Sequence, residues 1–198
     1  FMYRGLALNT SDRQWLQRQR LRYDITAILP RDICAERAKT KGHYHPPSPS
    51  GIGYPEIYEV LLGHAHYLLQ ERNLSNVILV DALEKDIIIV PPGYGHVTIN
   101  AGADDLIMAN IVSTAFQSDY REYERKRGAA YYELTDGSYL KNPAYTSVPE
   151  LQIIHAGPIK EKMHLALDGL YEMIGTDDLK FLNNPDLTLD LFSEVVKG

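Results

Sequence analysis

The segment from Tyr23 to about Asn110 is divided into short runs rich in Ile, Val, Leu, Tyr and Thr. Turn-forming residues, among them Pro30, Gly63 and Gly93, separate these runs. The runs that we expect to form strands are YDITAIL, AERAKT, EIYEVLLG, AHYLLQ, NVILVDAL, DIIIVPP, HVTIN and DLIMANIV. Many short strands at this spacing are typical of an antiparallel barrel or sandwich, so the sequence predicts an all-β core.

Helical patterns flank this core on both sides. Ser11 or Asp12 is placed to cap a short helix through DRQWLQRQR. From about Lys160, apolar residues recur at three- and four-residue steps through KEKMHLALDGLYEMIG, and LTLDLFSEVV predicts a further short helix. We therefore expect an N-terminal helical segment (1–22), a barrel (23–145) and a C-terminal helical extension packed on the barrel (146–198). Within the barrel region, YYELTDGSYL predicts a hairpin that turns at Asp136 and Gly137.

Composition narrows the class of partner. The chain has 198 residues and a formal charge of -6, and it contains no long basic run, so the electrostatic footprint of a nucleic-acid binder is missing. No apolar run approaches the roughly 20 residues that a membrane span needs, and the N-terminal residues lack a signal-peptide core. We expect a cytosolic protein without nucleic-acid or membrane partners. The single cysteine, Cys34, is expected to be buried and to have no catalytic part.

His43 and His45 are the first candidate functional residues. Residues two apart in a strand project from the same face, so both imidazoles can point at one metal ion. The alternative is that they are ordinary surface histidines, and this is our expectation for His64 and His66, which have the same spacing and no partner that the sequence identifies.

Two glutamates follow the first histidine pair after a proline-rich loop. Glu56 and Tyr58 share one face of the predicted strand, while Glu59 points to the other face. Only Glu56 can therefore join the histidines inside a barrel, and Glu59 is expected to be a solvated charge or a neighbour of arginines.

Together, these residues resemble the two motifs of the cupin family. The likeness lies in the HxH pair, in the seven-residue interval from Glu56 to Gly63, and in PPGYGHVTIN, which contains His96 and Asn100. In cupins, two histidines and a glutamate of the first motif and a histidine of the second bind a divalent metal inside a jelly-roll barrel. The ten residues between His45 and Glu56 exceed the family's spacing and are interpreted as a loop insertion.

A narrower resemblance links TKGHYH, the downstream EIY, GHAHYLLQ and PPGYGHVTIN to the cupin-type, metal-dependent glucose-6-phosphate isomerases. It implies an aldose-ketose isomerase acting on a sugar phosphate, with one divalent metal per subunit. Fe²⁺ is favoured, and Ni²⁺, Mn²⁺, Zn²⁺ and Co²⁺ also suit three imidazoles and a carboxylate. It further implies a homodimer.

The resemblance also assigns roles to individual residues. The implied metal ligands are His43, His45, Glu56 and His96. The implied catalytic residues are Glu56 and Tyr58, and Tyr120 is a possible substrate contact. The implied phosphate site consists of Thr26, Thr40 and the backbone at Gly42, which offer the hydroxyl and N–H donors that a phosphate needs in an acidic chain.

Two other functions remain open from the residues. An iron cupin dioxygenase can use three histidines and a glutamate, although this function gives no reason for the Thr26, Thr40 and Gly42 arrangement. A non-catalytic cupin that binds a sugar phosphate as a sensor or carrier would show no turnover. For the isomerase itself, the sequence allows proton transfer through an enediol, with Glu56 as base, or a direct hydride shift.

Overall fold

Two β-sheets face each other in the computed structural model, which describes residues 1–32, 34–156 and 169–188. The larger sheet has the order β1 (Met2–Arg4), β2 (Leu21–Ile28), β8 (Leu106–Ser113), β3 (Glu56–Leu62) and β6 (Ile87–Val90). The smaller sheet has the order β11 (Gln152–His155), β5 (Val77–Leu83), β4 (His64–Glu71) and β7 (Tyr94–Asn100). Neighbouring strands are antiparallel, except that β11 runs parallel to β5. The expected all-β jelly-roll barrel is confirmed.

The remaining elements are short. They are helix α1 (Thr10–Arg18), helix α2 (Arg121–Lys126), the hairpin of β9 (Tyr131–Glu133) and β10 (Tyr139–Lys141), and three 3₁₀ helices at Leu170–Met173, Asp177–Leu182 and Pro185–Thr188. The hairpin predicted at Asp136 and Gly137 is confirmed. Strands β1 and β11 join the two sheets from outside residues 23–145, so the sheets extend beyond the predicted limits of the barrel at both ends.

The barrel interior is filled by every second residue of the facing strands, as the two-residue period of a strand requires. On β3, Tyr58 and Val60 point inward and pack with Tyr67 and Leu69 of β4 on the opposite sheet. These side chains are 5% exposed or less. Since strand positions of the same parity share a face, Glu56 also points inward.

The opposite face of the larger sheet is covered rather than solvated. Apolar residues of α1, β2, β3, β6 and β8 form a second core with the 3₁₀ helices after residue 168, and its members include Ile57, Ile111, Leu170, Met173 and Phe181. The apolar residues of the described C-terminal segment are thus held against the barrel. The predicted helix from Lys160 falls mainly on residues 157–168, and the one in LTLDLFSEVV mainly on residues 189–198, which lie outside the described residues.

Several local expectations are corrected. Helix α1 is capped by Asn9, whose side-chain oxygen accepts the Asp12 backbone N–H at 2.9 Å, and not by Ser11 or Asp12. AERAKT forms only isolated bridges at Glu36 and Lys39, because its partner changes from Leu134 to Ile99 of β7 within three residues. Cys34 is exposed rather than buried, in a turn with positive φ. Among the described residues, no helix has the length and apolar character that crossing a bilayer requires.

Candidate metal centre

Four side chains from both sheets converge inside one end of the barrel. His43 and His45 lie on the extended segment before β3, Glu56 is the first residue of β3, and His96 lies on β7. Reciprocal backbone hydrogen bonds between His43 and His96, at 3.1 and 3.3 Å, fix the first segment beside β7. The ligand atoms of all four residues lie within 4.8 Å of one another, so the four side chains can hold a metal ion. We call these four residues the barrel cluster.

The distances in the barrel cluster place its donor atoms around a common point. His45 Nε2 lies 3.2 Å from His43 Nε2 and 3.3 Å from Glu56 Oε2, which in turn lies 3.4 Å from His96 Nε2. Glu56 Oε2 is buried and lacks a hydrogen-bond partner. A buried carboxylate oxygen without a partner is costly, and a cation among these nitrogens would satisfy it. The residues present therefore fit a divalent transition metal.

Neighbouring backbone and side-chain groups orient the ligands. His45 Nδ1 lies 2.9 Å from the Tyr54 carbonyl oxygen, which leaves Nε2 facing the cluster. Asn110 on β8 donates from Nδ2 to Glu56 Oε1 at 2.7 Å. Such contacts fix the direction of these two metal ligands, because His45 and Glu56 each keep one atom free for the ion while the other atom is held by the protein.

The proline-rich insertion leaves Glu56 in place because it closes on itself. Ser48 donates its backbone N–H to Ile52 at 2.7 Å, and Tyr54 donates to Pro46 at 3.2 Å. The ten residues after His45 thus return the chain to the same end of the barrel, as the interpretation of a loop insertion requires.

The electrostatics of the cluster favour neutral imidazoles at His43 and His96 and an ionised carboxylate at Glu56. Burial, reinforced by His96, lowers the pKa of His43 to about 3, and burial also lowers the pKa of His96. Burial alone would raise the pKa of Glu56, but the close approach of the His45 and His96 ring nitrogens to its carboxylate outweighs burial and holds that pKa well below the usual range. These protonation states are the ones that bind a divalent cation.

Tyr58 and Tyr120 lie next to the cluster. The Tyr58 hydroxyl is 2.9 Å from His96 Nε2, and burial followed by the charge of Glu56 raises its pKa well above the ordinary value. The phenol therefore keeps its proton at neutral pH. The Tyr120 ring lies 5.1 Å from the His43 ring, and the ammonium group of Lys41 lies 5.0 Å from the centre of the Tyr120 ring.

A cleft of about 1020 Å³ leads to this end of the barrel, and its lining includes His45, Tyr120, Arg72 and Arg121. Both arginines are paired with carboxylates, since Arg121 Nε lies 2.9 Å from Asp119 and Arg72 lies 3.2 Å from Glu122. A small polar molecule can enter here and reach the ligands from the side of His45.

The three residues expected to bind phosphate lie on different elements. Thr26 is on β2 in the larger sheet, and its hydroxyl is buried without a partner. Thr40 lies beside β7 of the smaller sheet, where its hydroxyl accepts the Thr98 backbone N–H at 2.9 Å. A ligand that touches both threonines would have to lie between the two sheets.

Gly42 is fixed by packing. A Cβ at this position would lie 2.1 Å from the Tyr123 ring, so only glycine fits here.

Glu59 points to the outer face, as expected from the strand period. It is not a solvated charge, because it is buried under the C-terminal segment and accepts the Leu170 backbone N–H at 2.8 Å. Asn110 was not identified from the sequence. Its signal is a polar residue at an inward position of an otherwise apolar strand, where the alternation pattern leaves it no role in the core.

Comparisons with known proteins find a matching family and several sequence relatives. A family model described as "Glucose-6-phosphate isomerase (GPI)" matches residues 1–150. The glucose-6-phosphate isomerase of Thermococcus onnurineus is 28% identical over 121 residues, which cover 61% of this chain and 61% of that protein. The enzyme of the same name from Thermococcus litoralis is 31% identical over 100 residues, covering 50% of each. The matched part of the chain spans only 50 to 65% of the length of its curated relatives.

Among solved structures, Bacillus subtilis oxalate decarboxylase is similar, with a TM-score of 0.47 and 15% identity. The match covers 65% of this chain and 30% of that one.

Proposed function

Because the chain belongs to the glucose-6-phosphate isomerase family, we propose that it interconverts glucose 6-phosphate and fructose 6-phosphate at the barrel cluster. The observation that carries the proposal is the grouping of four metal-ligand atoms within 4.8 Å, with the Tyr58 hydroxyl 2.9 Å from one of them. A family relationship alone leaves the chemistry open, whereas this grouping supplies both a metal site and a proton-carrying group beside it.

The reaction moves one hydrogen from C1 to C2 of fructose 6-phosphate and one proton from the C1 hydroxyl to the C2 oxygen. A bound divalent metal would act as a Lewis acid that polarises the carbonyl group. We assign the oxygen-to-oxygen proton transfer to Tyr58, since its hydroxyl faces the cluster from within the barrel. Tyr120, which lines the cleft, contacts the sugar.

Two routes carry the hydrogen between the carbons. In the first, Glu56 takes the C1 proton and returns it to C2 by way of an enediol; in the second, hydride passes directly and no base is needed. Starting from fructose 6-phosphate labelled with deuterium at C1, loss of label to water would indicate the first route. Full retention of the label at C2 would indicate the second.

The phosphate is assigned to Thr26, Thr40 and Gly42. The support is the Thr26 hydroxyl, which is buried and has a donor to offer. We further propose Fe²⁺ as the metal, a cytosolic location and a homodimer.

The test is metal-dependent turnover. The protein is stripped with a chelator, reloaded with Fe²⁺ without oxygen, and assayed for glucose 6-phosphate formed from fructose 6-phosphate. Replacing His96 by alanine should remove the metal of the barrel cluster and the activity, while His155→Ala, a matched change at a histidine outside that cluster, should preserve both.

Three results would overturn the proposal. Full activity of His96→Ala would remove the metal assignment. Metal binding with oxygen consumption and no isomerisation would indicate a dioxygenase. Tight binding of a sugar phosphate without turnover in the loaded protein would indicate a sensor or carrier.

A further inference from the structure

A second group of histidines lies on the outer face of the smaller sheet, away from the barrel cluster. The strand register places Asp81 of β5 directly between His66 of β4 and His155 of β11. His64 lies two residues before His66 and therefore on the same face. Three adjacent strands thus present one carboxylate and three imidazoles at a single patch of the sheet surface. We call these four residues the outer cluster.

The side chains of the outer cluster converge on the carboxylate. Asp81 Oδ1 lies 2.5 Å from His64 Nε2 and 3.6 Å from His66 Nε2, and Asp81 Oδ2 lies 3.1 Å from His155 Nδ1. The ligand atoms of His64, His66 and Asp81 all lie within 4.8 Å of one another. Nitrogen and oxygen donors at this separation suit a borderline divalent cation.

His66 has a supporting contact of the kind found at metal sites. Its Nδ1 lies 2.7 Å from Glu133 Oε2, and the Glu133 side chain is only 3% exposed. Arg37 Nε lies 3.1 Å from the other oxygen of Glu133 and balances its charge. This arrangement directs His66 Nε2 toward Asp81, and a ligand histidine commonly donates its second ring N–H to a carboxylate in this way. A surface histidine needs no buried carboxylate behind it.

We propose that the outer cluster binds a Zn²⁺-class divalent metal through His64, His66 and Asp81, with His155 as the fourth ligand. Four protein ligands make a closed site, which is typical of structural rather than catalytic metals. The ion would tie β11, the edge strand of the smaller sheet, to β5 and β4. The His155 side chain is 80% exposed, so the ion has an open path from solvent. The proposal does not depend on the isomerase assignment.

The first measurement is the number of metal ions per chain. The protein is stripped with a chelator and titrated with Zn²⁺, and bound metal is counted after equilibrium dialysis. We expect two equivalents for the wild type, one for His66→Gln, one for His43→Gln and none for the double variant. His64→Gln serves as a second disruption of the outer cluster if His66→Gln folds poorly.

Two further readouts separate a built site from loosely associated histidines. In the His43→Gln background, which retains only the outer cluster, Zn²⁺ should raise the thermal unfolding midpoint, and His66→Gln should abolish the rise. In the same background, Glu133→Gln should weaken Zn²⁺ binding about 10- to 100-fold, because it removes the group that orients His66.

A wild-type stoichiometry of one that His66→Gln leaves unchanged would overturn the proposal, as would outer-cluster binding that appears only at millimolar Zn²⁺. Failure of the isomerase assay with two metals bound would overturn the proposed function alone.

Discussion

Asn110→Leu is the substitution that most directly tests how the barrel cluster is held. Asn110 donates to Glu56 Oε1 at 2.7 Å, and both side chains are about 5% exposed or less. Leucine has the same branched arrangement of side-chain heavy atoms and cannot donate. The substitution therefore removes the hydrogen bond that orients the buried Glu56 carboxylate.

The expected loss of metal affinity in Asn110→Leu can be worked out in two independent ways. A hydrogen bond to a charged group contributes about 1.5–3 kcal/mol. Loss of a contact that orients a metal ligand lowers metal affinity about 10- to 100-fold, which corresponds to about 1.4–2.8 kcal/mol. The two ranges agree, so we expect Asn110→Leu to weaken metal binding at the barrel cluster by one to two orders of magnitude.

The assay is competition between the stripped protein and a chromophoric chelator for Co²⁺, carried out in a His66→Gln background so that only the barrel cluster contributes. The matched control is Asn142→Leu. Asn142 is equally buried and donates to the carbonyl oxygens of Lys126 and Ala129 at 3.0 and 2.8 Å, far from any cluster ligand in the sequence. It should lower the unfolding midpoint without changing the metal affinity. Equal metal affinity in Asn110→Leu and its parent, or an equal loss in the control, would refute the reasoning.

Two further predictions concern the C-terminal segment and the buried Tyr23 of β2. Glu59→Gln should weaken the docking of this segment on the barrel by about 1 kcal/mol, because the charge-assisted hydrogen bond to the Leu170 N–H becomes neutral. Trypsin should then cleave faster at the exposed Lys180. As a control, Glu84→Gln at an exposed site should leave the cleavage rate unchanged. Burial, with the charge of Glu59, raises the pKa of Tyr23 to about 12. Tyrosine in the unfolded chain loses its proton near pH 10, so the folded state binds more protons between about pH 10 and 12 and stability falls as pH rises through that window. Urea unfolding at about pH 9 and 11 should show a smaller loss for Tyr23→Phe than for the wild type, and equal losses would contradict the assignment.

Strand period was sufficient to predict the inward face of β3. Alternation alone separates Glu56 and Tyr58 from Glu59, and the structure places them accordingly. The burial of Glu59 could not be predicted in this way, because an outward position on a sheet is solvated or buried depending on what covers it. The covering residues come from a segment more than 100 positions later, and no local pattern around Glu59 announces it.

The loop after His45 could be predicted from the sequence, whereas the contact of Asn110 with Glu56 could not, because only the second depends on strand register. The loop returns to its starting point through its own turn, so its length does not disturb Glu56. Asn110 reaches Glu56 only because β8 pairs with β3 in one particular register, which brings Tyr58 opposite Asn110 and Val112 opposite Glu56. A shift of one residue would point Asn110 to the outer face, and the sequence of either strand alone does not specify that choice.

The same reasoning separates the two His-x-His pairs, which are alike in spacing. His43 and His45 are recognised because Glu56 follows them within one motif. The partner of His64 and His66 is Asp81, which belongs to another strand and lies opposite His66 only through the register of β4 with β5. A one-residue slip would move Asp81 to the barrel interior, which would leave His64 without this carboxylate and His66 with Glu133 alone. The expectation that His64 and His66 are ordinary surface histidines followed because the sequence does not give the register of β4 with β5. The His-x-His spacing alone does not separate a surface pair from a metal-binding pair.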